Sequence, residues 1–291
     1  MCIYNDLGVL APPAQPLSGM NAASNEPVIS FEDVRLGFDE GDVLRGVSFR
    51  VIHKETKVLV GETGTGKTLI LKLAAGLLKP ASGHVRVLGD DLGSMSETQL
   101  LQFRRQIGFV FQEGALFDSM TVAENVAYRL NEDGLDEREI DARVREALGF
   151  VDMEDAIDKL PDELSGGMRR RVSIARALVS RPPIVLYDSP TAGLDPITSH
   201  TIITLILRLR DTLGVTSLMA THRLQDAFAL ANFRFDQANN RVVRISPAAL
   251  AARNGQPSTT FLFLREGKVY FEGGQQALLE SPDAYLKKFL V

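Results

Sequence analysis

The 291-residue sequence holds one cysteine, no tryptophan and no long hydrophobic run. The lone Cys2 excludes an internal disulfide and any cysteine-based zinc site, and it fits a reducing compartment. No apolar stretch reaches the ~18 residues that read as a membrane-spanning helix, so action at a membrane would need a second chain. The N-terminus lacks the basic-then-apolar order of a secretory signal. An excess of basic charge is missing too. Lys and Arg number 32 against 37 Asp and Glu, and the formal charge of −5 offers no electrostatic footprint for nucleic acid. What remains is a composition ordinary for a globular protein, long enough for one large domain or two modest ones.

Residues 1–27 are rich in Pro, Ala, Ser and Asn, show no sustained period and read as a flexible leader, with Met20 a second candidate start beside Met1. From residue 28 to 291 a single domain is expected. Val28–Leu36 alternates as an edge strand does, and further strands fit Val43–Val51, Lys57–Gly61, Val85–Leu88, Ile107–Phe111, Ile184–Tyr187 and Thr216–Ala220. A helix opens at Lys67 and is expected to run through Leu77, with Pro80 beyond its end. Between Phe111 and Ile184 the period is helical, clearest at Glu137–Gly149 and Gly166–Leu178. A mostly helical block at about 113–180 inside an α/β chain suggests a lobe projecting from a mixed-sheet core. Another helix is expected near Leu224–Leu230. Residues 236–258 read as a surface insertion ahead of a hairpin, Phe261–Arg265 and Val269–Glu272.

Gly61-Glu62-Thr63-Gly64-Thr65-Gly66-Lys67-Thr68 meets every defined position of a phosphate loop, and it stands between an expected strand and an expected helix. Glycines let backbone amides turn toward an anion, and the helix N-terminus adds unsatisfied N–H groups and partial positive charge. Lys67 is then placed to reach the β- and γ-phosphates, and the Thr68 hydroxyl to ligate Mg²⁺. A strand-to-helix turn that binds nothing would have no use for Lys-Thr at those positions.

A phosphate loop alone says nucleotide and little more. Leu164-Ser165-Gly166-Gly167-Met168 opens a second helix with a hydroxyl and two glycines, a second anion-binding N-terminus in the same chain. By itself this would be an ordinary helix cap. Downstream, Pro183–Asp188 is an apolar strand ending in a carboxylate, followed by Ala192-Gly193-Leu194-Asp195 and then by Thr221-His222 after another apolar strand. Arg169, Arg170 and Arg171 read as a mostly solvated helix face.

In this order the set resembles the ABC ATPase family over about Val28 to Phe289. The resemblance implies an α/β fold: a RecA-like P-loop core with a mixed β-sheet, an antiparallel β subdomain and a helical signature subdomain. It implies ATP and Mg²⁺ as ligands. Gly61, Glu62, Thr63, Gly64, Thr65, Gly66, Lys67 and Thr68 are then the Walker A loop, Gln112 the Q-loop glutamine, and Ser165, Gly166 and Gly167 the heart of the signature, which normally ends in Gln rather than Met168. Asp188 closes Walker B, Asp195 the D-loop, His222 is the switch histidine, and Phe38 resembles the aromatic that stacks on adenine, with a core or strand-edge Phe as the plain alternative. Thr68, Gln112 and Asp188 form the metal set. The resemblance also implies a second copy in a head-to-tail ATP sandwich, and a membrane permease contacting Gln112–Tyr128. The place is then peripheral, at the cytoplasmic face of a bacterial inner membrane, with no nucleic acid.

Phe111–Phe117, Thr121–Tyr128, Met168 and Asp195–Thr198 resemble, within the family, the Mla/Mce-type lipid-transport ATPases. Phospholipid or related lipid is therefore the expected cargo, with a Mce-type lipid-binding subunit in the complex. An importer or exporter of another small solute, a nucleotide-gated switch and a non-transport ABC ATPase stand as alternatives. One position departs from the family. Ser189 follows Asp188 where a glutamate normally orients or deprotonates the attacking water, and a positioned base of that kind contributes roughly 10²–10⁴-fold. Three readings follow: slow hydrolysis with His222 and Gln112 positioning water, substitution by Glu113, or a switch that hardly hydrolyses.

Overall fold

A computed structural model describes residues 26–39, 41–246 and 258–290. Most of the expected leader, residues 1–25, lies outside the described residues, as do residues 247–257 of the expected insertion.

The core is a six-stranded sheet of β3 (Thr56–Val60), β6 (Ile107–Val110), β7 (Ile184–Asp188), β8 (Thr216–Thr221), β11 (Thr259–Arg265) and β12 (Lys268–Gly273), ordered β12-β11-β3-β8-β7-β6. All neighbours pair in parallel except β11 with β12. The five parallel strands are largely apolar on both faces, as a parallel sheet covered on both sides requires. Val58, Val60, Val185, Tyr187, Met219, Phe261 and Phe263 pack into one cluster, while the alternating Leu59, Ile184, Leu186, Leu218, Ala220, Leu262 and Leu264 pack into the other.

The first cluster is closed by α3 (Val122–Glu132), α4 (Glu137–Phe150), α5 (Gly166–Leu178), α6 (Pro196–Leu213) and α7 (Leu224–Asn232). The second takes in α1 (Lys67–Ala74), α2 (Glu97–Phe103) and a four-stranded antiparallel sheet of β1 (Pro27–Phe38), β2 (Gly41–Ile52), β4 (Ser82–Val87) and β5 (Asp90–Asp91), ordered β2-β1-β4-β5. A mixed sheet, an antiparallel sheet and a helical lobe are thus the three parts of the structure, as the sequence led one to expect.

Two expectations change here. β1 is not an edge strand, since it pairs with β2 on one side and β4 on the other. Helix α1 stops at Ala74 rather than running to Leu77. Gly76 takes φ +64°, and the Gly76 and Leu77 amides donate to the Leu73 and Lys72 carbonyls at 3.0 and 2.8 Å, which closes the helix end in a Schellman turn. Within 236–258, the described part belongs to a hairpin of β9 (Phe233–Asp236) and β10 (Arg241–Arg244). That hairpin docks on α6, where Asp211 accepts from the Phe235 amide at 2.7 Å and Arg210 donates to the Phe233 carbonyl at 2.8 Å. Short helices α8 (Gln275–Glu280) and α9 (Ala284–Lys287) end the described chain.

Candidate functional site

The register of the parallel strands brings the predicted residues to one edge. Val60 stands opposite Thr221, Asp188 opposite Ala220, and Val110 opposite Tyr187. Gly61, His222 and Ser189 therefore leave the carboxyl ends of three adjacent strands, and Gln112 follows two residues beyond the fourth. Ligands of open α/β sheets bind outside the carboxyl ends of the strands.

At the phosphate loop, Gly66 caps α1 in the left-handed region at φ +96°, with the Leu44 side chain packed over it. Glu62, Thr63 and Gly64 are exposed. The Lys67 ammonium donates to the carbonyls of Gly61 at 2.8 Å and Glu62 at 2.7 Å, and to the Thr65 hydroxyl at 3.4 Å. Burial lowers its pKa below the ordinary lysine value, and Asp188 pulls it back up. The Thr68 hydroxyl donates to Asp188 Oδ1 at 3.2 Å, so two of the three expected metal ligands already share one point. Among the described residues no group of three or more His, Cys, Asp or Glu converges. An oxygen pair of this kind suits Mg²⁺, which takes one or two protein oxygens and completes its shell with phosphate and water. Gln112, the third expected ligand, is exposed beyond β6.

Ser165 caps α5, its hydroxyl accepting from the Met168 amide at 3.3 Å, and Ser165 and Gly166 face solvent. Asp195 caps α6 and accepts from the Ile197 and Thr198 amides at 2.9 and 3.0 Å. The Thr198 hydroxyl and these amides hold its carboxyl below the usual range. The two caps are neighbours, because Gly167 sits so close to Thr198 that a Cβ there would overlap the Thr198 methyl. Gly167→Ala is therefore expected to push Thr198 off Asp195. Overpacking costs about 1–3 kcal/mol, against a helix-propensity gain of about 1 kcal/mol, so a net loss near 1 kcal/mol should appear in denaturant unfolding. Steady-state ATPase should fall further, by about tenfold or more, through the displaced cap. Wild-type behaviour in both assays would show that this close approach is idle.

Ser189 takes φ +47°, donates its amide to the Ala220 carbonyl at 2.9 Å and lies with its hydroxyl 3.5 Å from Asp188 Oδ1. His222 is exposed just past β8. Phe38 is 56% exposed at the end of β1, paired with Gly41, on the hairpin whose Val43 and Leu44 pack on Gly66.

The arginine run after the signature is not a solvated face. Arg170 is buried, and Arg169 donates to the Leu164 carbonyl at 2.8 Å. Asp226 belongs to none of the motifs in the sequence. Its buried carboxylate accepts from the Thr191 hydroxyl, and burial raises its pKa while Thr191, Arg223 and His222 lower it. A lone charge in the otherwise uncharged Leu224–Leu230 helix was the available signal.

Beside the Gln112 loop, Arg104, Arg105, Phe109, Phe117, Tyr128 and Arg176 line a cleft of about 290 Å³. Arg176 fixes its wall by donating to the Gly114 and Ala115 carbonyls at 2.9 and 2.8 Å, and Phe117 and Tyr128 are 41% and 39% exposed. No described helix is long and apolar enough to cross a membrane.

A family model described as ABC transporter matches residues 44–192. The methionine import ATP-binding protein MetN of Nocardia farcinica is 35% identical over 245 residues, covering 82% of this chain and 73% of that protein. The chloroplastic protein trigalactosyldiacylglycerol 3 of Arabidopsis thaliana is 34% identical over 278 residues, covering 91% of this chain and 74% of that one. Other methionine import ATP-binding proteins are longer, and the chain spans 45% and 55% of two of them. Among solved structures, a dimeric ATP-binding cassette in a post-hydrolysis state with ADP and phosphate superposes with a TM-score of 0.70 at 27% identity, over 84% of this chain and 98% of that one.

Proposed function

The chain belongs to the ABC transporter family, and from that premise we propose that it is the ATP-hydrolysing motor of a small-solute importer, working as a head-to-tail pair on a membrane permease. The observation that carries the reading is the meeting of Lys67, Thr68 and Asp188 at one sheet edge, a phosphate grip and a metal point built from the first turn of α1 and the end of β7. The pairing reading rests on the exposed Ser165 cap and on Ile197, 82% exposed beside Asp195, a bare apolar side chain at the face a second copy would cover. ATP held by Lys67 of one copy and capped by Ser165 of the other would close the pair, and loss of the γ-phosphate would open it. The basic, aromatic cleft beside Gln112–Tyr128 supports that face as the permease contact, at the cytoplasmic side of the membrane.

The expected lipid cargo and Mce-type subunit are not supported by the methionine-import relatives, which favour the small-solute alternative, an amino acid of the methionine kind. Lipid stays as a second reading on one observation, the 91% coverage by the relative named for trigalactosyldiacylglycerol. The test is isolation of the complex from native membranes, identification of its integral partner, and reconstitution in vesicles with labelled methionine or labelled lipid. Methionine uptake that needs ATP supports the main reading. ATP-dependent lipid movement without uptake replaces it with the second, and recovery with ribosomes or DNA and no membrane partner removes both.

A further inference from the structure

Arg170 lies five residues after Ser165 on α5, at the Gly167, Arg170, Ile174, Ala177 spacing of the buried helix stripe. It is 5% exposed. One terminal nitrogen donates to the carbonyl of Phe111, the residue before Gln112, at 2.9 Å. The other reaches the carbonyl of Ala192, in the loop that leads to Asp195, at 3.5 Å. Its Nε is buried with no partner. Burial lowers the guanidinium's pKa, and the nearby charges of Glu113 and Asp188 pull it back up. Taking a guanidinium out of water is costly unless its hydrogen bonds are met, so an idle arginine has no reason to sit on this stripe. The planar fork carries its two terminal donors at a fixed spacing on a rigid plane, whereas a lysine offers a single nitrogen on a flexible stem. The two arms are unequal: 2.9 Å is a full hydrogen bond, whereas 3.5 Å is at the limit and is made or broken by a small shift.

We propose that Arg170 is a positioning residue for ATP turnover, a buried two-armed tie that binds the Gln112 loop firmly and the Ala192–Asp195 loop conditionally to the signature helix. Through it, a shift of the Asp195 loop on closure of the pair is felt at Gln112. The inference rests on the motor reading and adds a residue to it.

Arg170→Lys and Arg170→Gln in the full-length chain provide the test, with two readouts. Steady-state kinetics should show kcat down by about tenfold or more with KM for ATP within about twofold, since misplacement by an ångström can cost 10²-fold without loss of binding. Amide exchange should show that MgATP protects residues 111–114 and 192–195 together in the wild type, and that in the variants the second segment no longer follows the first. Wild-type kcat or wild-type coupled protection in both variants overturns the proposal. So does a parallel fall of kcat, ATP affinity and melting temperature, or failure of both variants to fold, because each marks Arg170 as a packing residue. Should the wild-type chain bind but never hydrolyse ATP, the motor reading fails, and the exchange measurement still decides on Arg170.

Discussion

Lys67→Ala is expected to weaken MgATP binding by about 100-fold or more while leaving the fold nearly as stable as before. The ammonium donates to two loop carbonyls and the Thr65 hydroxyl, so it is held within the loop, and a phosphate oxygen bound there would take over donors now spent on those neighbours. A hydrogen bond to a charged partner is worth about 1.5–3 kcal/mol, and two of them to a triphosphate amount to about 3–6 kcal/mol, or roughly 10²–10⁴ in Kd. The loss to the fold is smaller. Glu62 and the tip of the loop face solvent, so water replaces the ammonium, and about 1 kcal/mol or less is expected. Calorimetric titration with MgATP and a thermal melt check the two halves. Unchanged affinity would mean that the loop is not a nucleotide grip. A collapse of the melt would mean that Lys67 acts on the fold instead.

The grip was legible in the sequence because its chemistry fixes residue types at fixed spacing. Gly66, Lys67 and Thr68 cannot exchange places and still cap a helix, reach a phosphate and ligate a metal. The strand ends were legible for a related reason: an apolar run that stops at Asp188 or Thr221 marks where a buried strand meets the edge. What the sequence hid is settled by distant partners. β1 alternates like an edge strand, and only β4, brought back from beyond α1, makes it interior. Three arginines in a row look solvated, yet the helical turn must carry one of three consecutive residues toward the core, and here that one finds the Phe111 carbonyl. The end of α1 was legible in principle at Gly76, but Leu77 continued the apolar period and masked the stop.

Ser189→Glu is expected to raise single-turnover hydrolysis by roughly 10²–10⁴-fold, the contribution of a positioned base, which is about 3–5 kcal/mol of barrier. The backbone is ready for it. Ser189 already holds φ +47°, and its amide is tied to the Ala220 carbonyl, so a glutamate inherits a strain that the serine bears rather than adding one. A second carboxylate beside Asp188 would meet like charge, but Lys67 and Arg170 are both within electrostatic reach of Asp188 and offset it. The other nearby acids are poorly placed to stand in. Asp226 is buried and engaged by Thr191, and Glu113 is exposed at the Gln112 loop, facing the field of Arg170. ATP affinity should change little, because binding and closure of the pair need no base. Rapid-quench measurements on the wild type, Ser189→Glu and Glu113→Gln separate the cases. If the wild type already hydrolyses at ordinary rates and Ser189→Glu slows it, the serine is no deficit. A loss of turnover in Glu113→Gln would then name the acid that replaces the glutamate, and no change there would leave His222 and Gln112 to hold the water.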